Sequence, residues 1–277
     1  MTTPFKFPSI LRVSVCSSLL LLLPGHLLAQ TAPVPVRDPN AVAIANKALQ
    51  ALTGGTTLTD ITLQATATYT AGSDLEMGAA TLAALGNQQS RVALGLTNGQ
   101  RTEIRSGPAG DWIGADGVEH AMELHNCWPD ADWFYPGLSL GALNSDPGLG
   151  LAYVGPVTKN GVAVVDLRLF RAVPSASGGV NTTILKLSAE DIYLDPTSLL
   201  PLFLDFNVHP DADFTCSIPV EIVFAQYRTM SGVAVPTRIQ KFLNGGLLLD
   251  LTVGSAAINS GLPASEFAVT TIAGGAQ

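Results

Sequence analysis

The chain has 277 residues, 47 % of them hydrophobic and only 13 % charged, with a formal net charge of −8 and a pI near 4.8. With 14 Lys plus Arg against 22 Asp plus Glu, nucleic acids and anionic membrane surfaces are poor partners, because binding to either rests on cationic charge. The apolar surplus is enough to build a large core or to line a greasy cavity.

Residues 1–29 read as a signal peptide. Lys6 and Arg12 precede an apolar run from Val13 to Leu23, and Leu27-Leu28-Ala29 offers a small-residue end for cleavage, so the mature chain is expected to begin near Gln30. Cys16 precedes the leucine run and belongs to the discarded peptide rather than to a lipid anchor. No later stretch holds about 18 uninterrupted apolar residues, as a spanning helix requires. Residues 30–37 are a Pro-rich linker, and 38–277 show no composition break, which favours one domain. The cysteines left after cleavage, Cys127 and Cys216, would meet an oxidising compartment, where they could form a disulfide or stand as two thiols.

The first element is a helix. Asp38 is placed to cap it, Pro39 suits its first turn, Gly54-Gly55 ends it, and Val42, Ala45, Leu49 and Leu52 form an apolar stripe. From Leu58 the period becomes that of strands. LTDITLQATATYT, EMGAATLAAL, SRVALGL, RTEIRSG and DWIGA are separated by turn signals and predict an antiparallel meander. A three-residue loop at Asn98 sets Leu94 opposite Ile104 on an apolar face. Arg91, Arg101 and Arg105 crowd the same hairpin; the plain reading is a solvated face, the sharper one an arginine turned inward towards a ligand's polar group.

Residues 120–143 are irregular and aromatic, with Trp128, Trp133, Phe134 and Tyr135 and with Pro129 and Pro136 cutting short helical pieces. Such a segment acts either as a lid over a cavity mouth or as a plug in the core. His120, Glu123, His125 and Cys127 are metal-ligating types, but their spacing shares no helix or strand face, so no metal site is expected. Gly137-Leu138-Ser139-Leu140-Gly141 matches a nucleophile-elbow pattern without the strand and helix that motif needs, and the histidine downstream is His209, so a serine hydrolase is only a minor alternative. Asp211 and Asp213 read as loop carboxylates. VPSASGGV reads as a flexible loop and Asn181-Thr182-Thr183 as an exposed loop.

The second half returns to strands: GLAYVG, GVAVVDLRLF, EDIYLD, LLPLFLDFNV and VEIVFAQYR. A hairpin around Asn244-Gly245-Gly246 closes the series. A two-residue turn would set Phe242, Gln240 and Arg238 on the same face as Leu247, Leu249 and Leu251 and mix charge into it, so a three-residue loop is expected, with Leu243 opposite Leu247, Lys241 opposite Leu249 and Ile239 opposite Leu251. Arg238, Gln240, Asp250 and Thr252 then form a polar face. Thr237 and Lys241 interrupt the apolar one, and Lys241 is expected to lift its charge into water. This is a half-covered antiparallel sheet.

The order of helix, meander, DIYLDPTSLLPLFLDF and the closing phrase from Phe224 to Phe267 resembles the periplasmic lipoprotein-carrier (LolA-like) superfamily. The similar positions are Tyr227, Gly232-Val233, Pro236, Asn244-Gly245, Asn259 and Phe267. The resemblance implies a mainly β (α+β) fold, a strongly curved, half-open antiparallel β-barrel with helices on or plugging its concave face. It also implies an apolar cavity, no catalytic residues, no metal and no cofactor. The expected guest is a lipid or acyl chain, free or on a lipoprotein, lined by Val92, Leu94, Ile104, Ile239, Leu249 and Leu251 with Trp133 and Phe134 at the mouth. The expectation is an exported, periplasmic or secreted, monomeric carrier in transient contact with membranes. The alternative is a non-catalytic structural or sensory module of the envelope that binds a protein.

Overall fold

The structure, a computed structural model, describes residues 35–129, 131–173 and 178–270. The expected signal peptide and most of the linker lie outside the described residues. Helix α1 (Pro39–Thr53) comes first. Six strands follow: β1 (Asp60–Ala71), β2 (Asp74–Leu85), β3 (Gln89–Leu96), β4 (Gly99–Ser106), β5 (Ala109–Ile113) and β6 (Glu119–Ala121). A segment with a 3-10 turn (Leu124–Asn126) and the short helix α2 (Gly137–Ala142) leads to β7 (Leu149–Lys159) and β8 (Val162–Arg171). Helix α3 (Gly178–Leu187), β9 (Glu190–Leu194), β10 (Pro201–Val208), β11 (Ile218–Met230), β12 (Val233–Leu243) and β13 (Gly246–Ile258) complete the chain, with a 3-10 turn at Ala264–Phe267. No helix among the described residues is long and apolar enough to cross a membrane.

All thirteen strands form one antiparallel sheet in the order β6-β5-β4-β3-β2-β1-β13-β12-β11-β10-β9-β8-β7, so β6 and β7 are free edges and the barrel stays open. The chain runs outward from β1 to β6, crosses to the far edge through residues 122–148, and meanders back to pair β13 with β1. The crossing segment is the aromatic one. It fills the inner face: Trp133, Phe134 and Tyr135 are at most 2 % exposed, and Leu138 and Leu140 join the same core. Burial of each large ring contributes on the order of 2–3 kcal/mol. The segment is therefore mainly a plug.

Helix α1 covers more of that face, touching β12 and β7. Its Asp38 cap accepts from the backbone N–H groups of Asn40 and Ala41, and Gly54 ends it at φ +61°. The buried stripe is Ala41, Ala45, Ala48 and Leu52, turned about one position from the expected one, with Val42 and Leu49 on its flanks. Alanines let the helix approach the sheet closely.

Four local expectations are corrected. The β12–β13 turn has two residues, Asn244 (φ +48°) and Gly245 (φ +78°), so Leu243 meets Gly246 rather than Leu247. A bulge at Leu248 absorbs one residue and restores Lys241 opposite Leu249 and Ile239 opposite Leu251. The β3–β4 turn also has two residues, which pairs Leu94 with Arg101 and Ile104 with Arg91. Residues 178–187 are helical rather than a loop, and Asn181 is buried there rather than exposed, with its Oδ1 accepting from Val173 N. Cys127 is a buried free thiol behind the 3-10 turn, and Cys216 an exposed one in the β10–β11 loop.

Candidate functional site on the inner face

The shorter β3–β4 turn decides the chemistry of the inner face. Residues directly opposite in an antiparallel pair share a face. Val92 and Leu94 face the core, so their partners Glu103 and Arg101 do too, and Arg105 follows opposite Ser90. Ile104 faces the other way, beside Arg91, and cannot line a cavity on this side. One strand thus carries three charges inward.

Two of these charges, Arg101 and Glu103, line a pocket of about 300 Å³ together with Tyr69, Val92, Leu94, Trp133, Lys241 and Leu249, with Trp112 and Leu248 around them. Four of the expected lining residues, Val92, Leu94, Trp133 and Leu249, meet here. Phe134, Ile239 and Leu251 are fully buried in the core instead.

Each charge has a definite neighbour. Arg101 holds Glu76 through two hydrogen bonds of 2.8 and 2.7 Å and lies over the Tyr69 ring at 4.8 Å. The guanidinium keeps the Glu76 carboxyl below its ordinary pKa. Arg105 donates to Glu103 at 2.9 Å and to the Pro129 carbonyl at 3.3 Å. Burial works to raise the Glu103 pKa, but Arg105 and Lys241 outweigh it and the carboxyl titrates lower. Lys241 is only partly buried. Its Nζ lies 4.5 Å from the centre of the Trp133 ring, a cation–π contact, and burial pulls its pKa below that of an ordinary lysine. Thr237, the other polar residue of this face, is buried and donates to the carbonyl of Gln226, a β11 residue at φ +57° that β12 does not pair.

A larger open cleft of about 1120 Å³ lies on the outer face, lined by the tip of the β7–β8 hairpin, by α3 and by β9–β11. Most of its charges are matched: Lys159 pairs with Asp205 and Glu221 at 2.5 and 2.7 Å, and Arg168 with Asp191 at 2.6 Å. Lys186 on α3 also lines the cleft.

The catalytic and metal candidates are dispersed. Ser139 is fully buried, its Oγ donating to Asp132 Oδ1 at 2.9 Å and its N–H to Oδ2 at 3.0 Å, which starts α2 and closes the hydroxyl to substrate. His209 is engaged elsewhere, with Nδ1 3.0 Å from the Cys216 carbonyl and its backbone held by Asn126. His120 stacks on Trp112 while His125 lies against His209 and Phe214. Among the described residues no three His, Cys, Asp or Glu side chains converge as a metal site.

No protein-family model matches the sequence, and no curated protein matches it either. Among solved structures, a DUF1329 family protein from Desulfovibrio piger superposes with a TM-score of 0.50 at 11 % identity, over 85 % of this chain and 98 % of that one. A LolA superfamily protein from Nitrosomonas europaea superposes with a TM-score of 0.49 at 12 % identity, over 83 % of this chain and 97 % of that one. At 11 % identity the likeness to the Desulfovibrio piger protein is one of fold alone.

Proposed function

We propose that the protein is an exported, non-catalytic binding protein that holds a lipid or acyl chain, free or borne by a lipoprotein, on the inner face of its sheet, and carries it between membranes as a monomer. The observation that carries this reading is the pocket beside Trp133, where Val92, Leu94 and Leu249 meet aromatic walls at a site left open by α1 and the plug. Its volume is at the low end for small-molecule sites, which suits one chain. The test is organic extraction of the purified protein followed by mass spectrometry, with titration of a fluorescent fatty acid. Saturable uptake is expected. A protein that yields no lipid and takes up no probe would overturn the reading. Export is checked separately by N-terminal sequencing of the protein from a periplasmic extract, where Gln30 is the expected first residue.

A second reading, an envelope module that binds a protein partner, is supported by how fully the chain fills its own inner face: Phe134, Ile239 and Leu251 have no exposure left. It predicts co-purification with a partner and an inner face that excludes acyl probes.

A further inference from the structure

Among the cations around this pocket, one has no ion pair. Arg101, Arg105 and Lys241 are three cations, and Glu76 and Glu103 two carboxylates. Arg101 is taken up by Glu76 and Arg105 by Glu103, each through close hydrogen bonds. Lys241 is left over. Among the described residues its ammonium has the face of Trp133 and the longer-range field of Glu103, and no hydrogen-bond acceptor within reach. Trp133 Nε1 is buried without an acceptor in the ring beneath it. Lys241 is only partly buried, so water meets its charge while the pocket is empty. A guest that displaces that water has to supply an acceptor in its place.

The apolar part of the pocket lies beside these donors. Leu249 is directly opposite Lys241 across the β12–β13 pair, Tyr69 opposite Leu249 across β13–β1, and Val92 and Leu94 follow on β3. From these positions we infer that the pocket selects a single-chain amphiphile with an anionic head, a carboxylate in the first instance, with the head on Lys241 beside Trp133 and the chain against Leu94, Val92 and Leu249. This rests on the proposed acyl-binding function and adds the polarity of the guest. Glu103 sets the limit on charge: its carboxylate, held by Arg105, disfavours a second negative charge entering next to it.

The test compares decanoate with decan-1-ol, two probes of one chain length that differ in the head, by isothermal titration calorimetry. The wild-type protein is expected to bind decanoate at least about tenfold more tightly. In Lys241→Met, which keeps the stem and removes the charge, that ratio should fall to about one, and Lys241→Arg should keep it; melting temperatures establish that each variant is folded. A wild-type protein that binds both probes alike, or a Met variant that keeps the preference, overturns the anionic-head assignment and leaves the acyl-binding function standing. If neither probe binds the wild type, both fall.

Discussion

Asp166, which is buried, and Lys241, which is partly buried, carry charges whose cost depends on pH in opposite directions. Asp166 is 5 % exposed and its Oδ1 has no hydrogen-bond partner. Burial, reinforced by Asp191, pushes its pKa up to about 6 from an ordinary 3.8. A raised carboxylate pKa means that the folded state holds a proton the unfolded chain would release, so the contribution is favourable below pH 3.8 and lost as pH rises through 6. Asp166→Asn is therefore expected to raise the melting temperature at pH 7. After allowance for screening by solvent and Arg168, the gain is about 1 kcal/mol, or roughly 2–4 °C. Below pH 4 the two proteins should melt together, and a lower melting temperature for the variant at pH 7 would contradict the assignment. For Lys241 the pKa is depressed by burial, with Arg105 adding to the effect and Glu103 opposing it, while Arg101 is neutralised by Glu76 and Tyr69 and Trp133 supply ring faces. The unfolded chain then binds the proton more readily, so the cost of the partly buried ammonium fades as pH rises from the folded pKa towards 10.5. Over that window the stability of the wild type should approach that of Lys241→Met while its preference for decanoate declines, both read as differences from the Met variant.

The β12–β13 hairpin joins turn chemistry to strand register. Its left-handed Asn244 and Gly245 form a tight turn whose twist suits the strands, and the bulge at Leu248 then takes up the residue that would otherwise invert the faces. Removing one residue from a strand ordinarily sends every following side chain to the opposite face. Deleting Leu248 should not, because Phe242 already pairs with Leu247 and Lys241 with Leu249. The deletion is expected to cost no more than about 1–2 kcal/mol, whereas deleting Ile239, fully buried on β12 where the register has no extra residue to absorb the loss, should cost well above that; circular dichroism melts of the two separate these outcomes. The same hairpin marks what was legible in the sequence. Alternation located Ile239, Lys241, Leu249 and Leu251 on one face, and Asp38, Pro39 and Gly54 bounded α1, because these signals are local. The bulge was not legible, since it is imposed by the neighbouring strands. On β4, Ile104 alternates with Arg101, Glu103 and Arg105, and hydropathy alone turns the isoleucine inward; pairing with Val92 and Leu94 turns the charges inward instead. The polar half of the candidate site was hidden for that reason. Helix α3 was missed because Gly178-Gly179 and Thr182-Thr183 favour loops, and Asn181, Ile184 and Leu187 hold it by burial.

Across the whole molecule, two meanders of six and seven strands meet at one seam, β1 with β13, between residues some two hundred positions apart such as Ile61 and Ile258. Closing so long a loop is costly in chain entropy, so the seam needs fastening beyond its ladder. At the free edge, Arg37 bonds the carbonyls of Leu143, Asp146 and Leu149, and the backbone around it pairs with Leu151, which shields the start of β7. At the seam, Asn259 accepts from Thr59 and donates to the Thr57 carbonyl, while the Asp60 carboxylate accepts from Ser260 N at 2.7 Å, Ser260 Oγ at 2.9 Å and Gly261 N at 3.1 Å. Burial alone would raise the Asp60 pKa, but these donors, led by the Ser260 hydroxyl, hold it below 3.8. A depressed carboxylate stabilises the fold above its unfolded pKa and loses that contribution as pH falls through the folded one. Asp60→Ala should therefore cost about 1–2 kcal/mol at pH 7 by removing hydrogen bonds to a charged acceptor, and the gap from wild type should narrow below pH 3.8. Hydrogen exchange gives the location: in the variant, protection should fall first along β1 and β13, ahead of the β7–β8 hairpin. Uniform loss across the sheet would mean that the two meanders open as one unit and that the seam is no weaker than the ladders on either side of it.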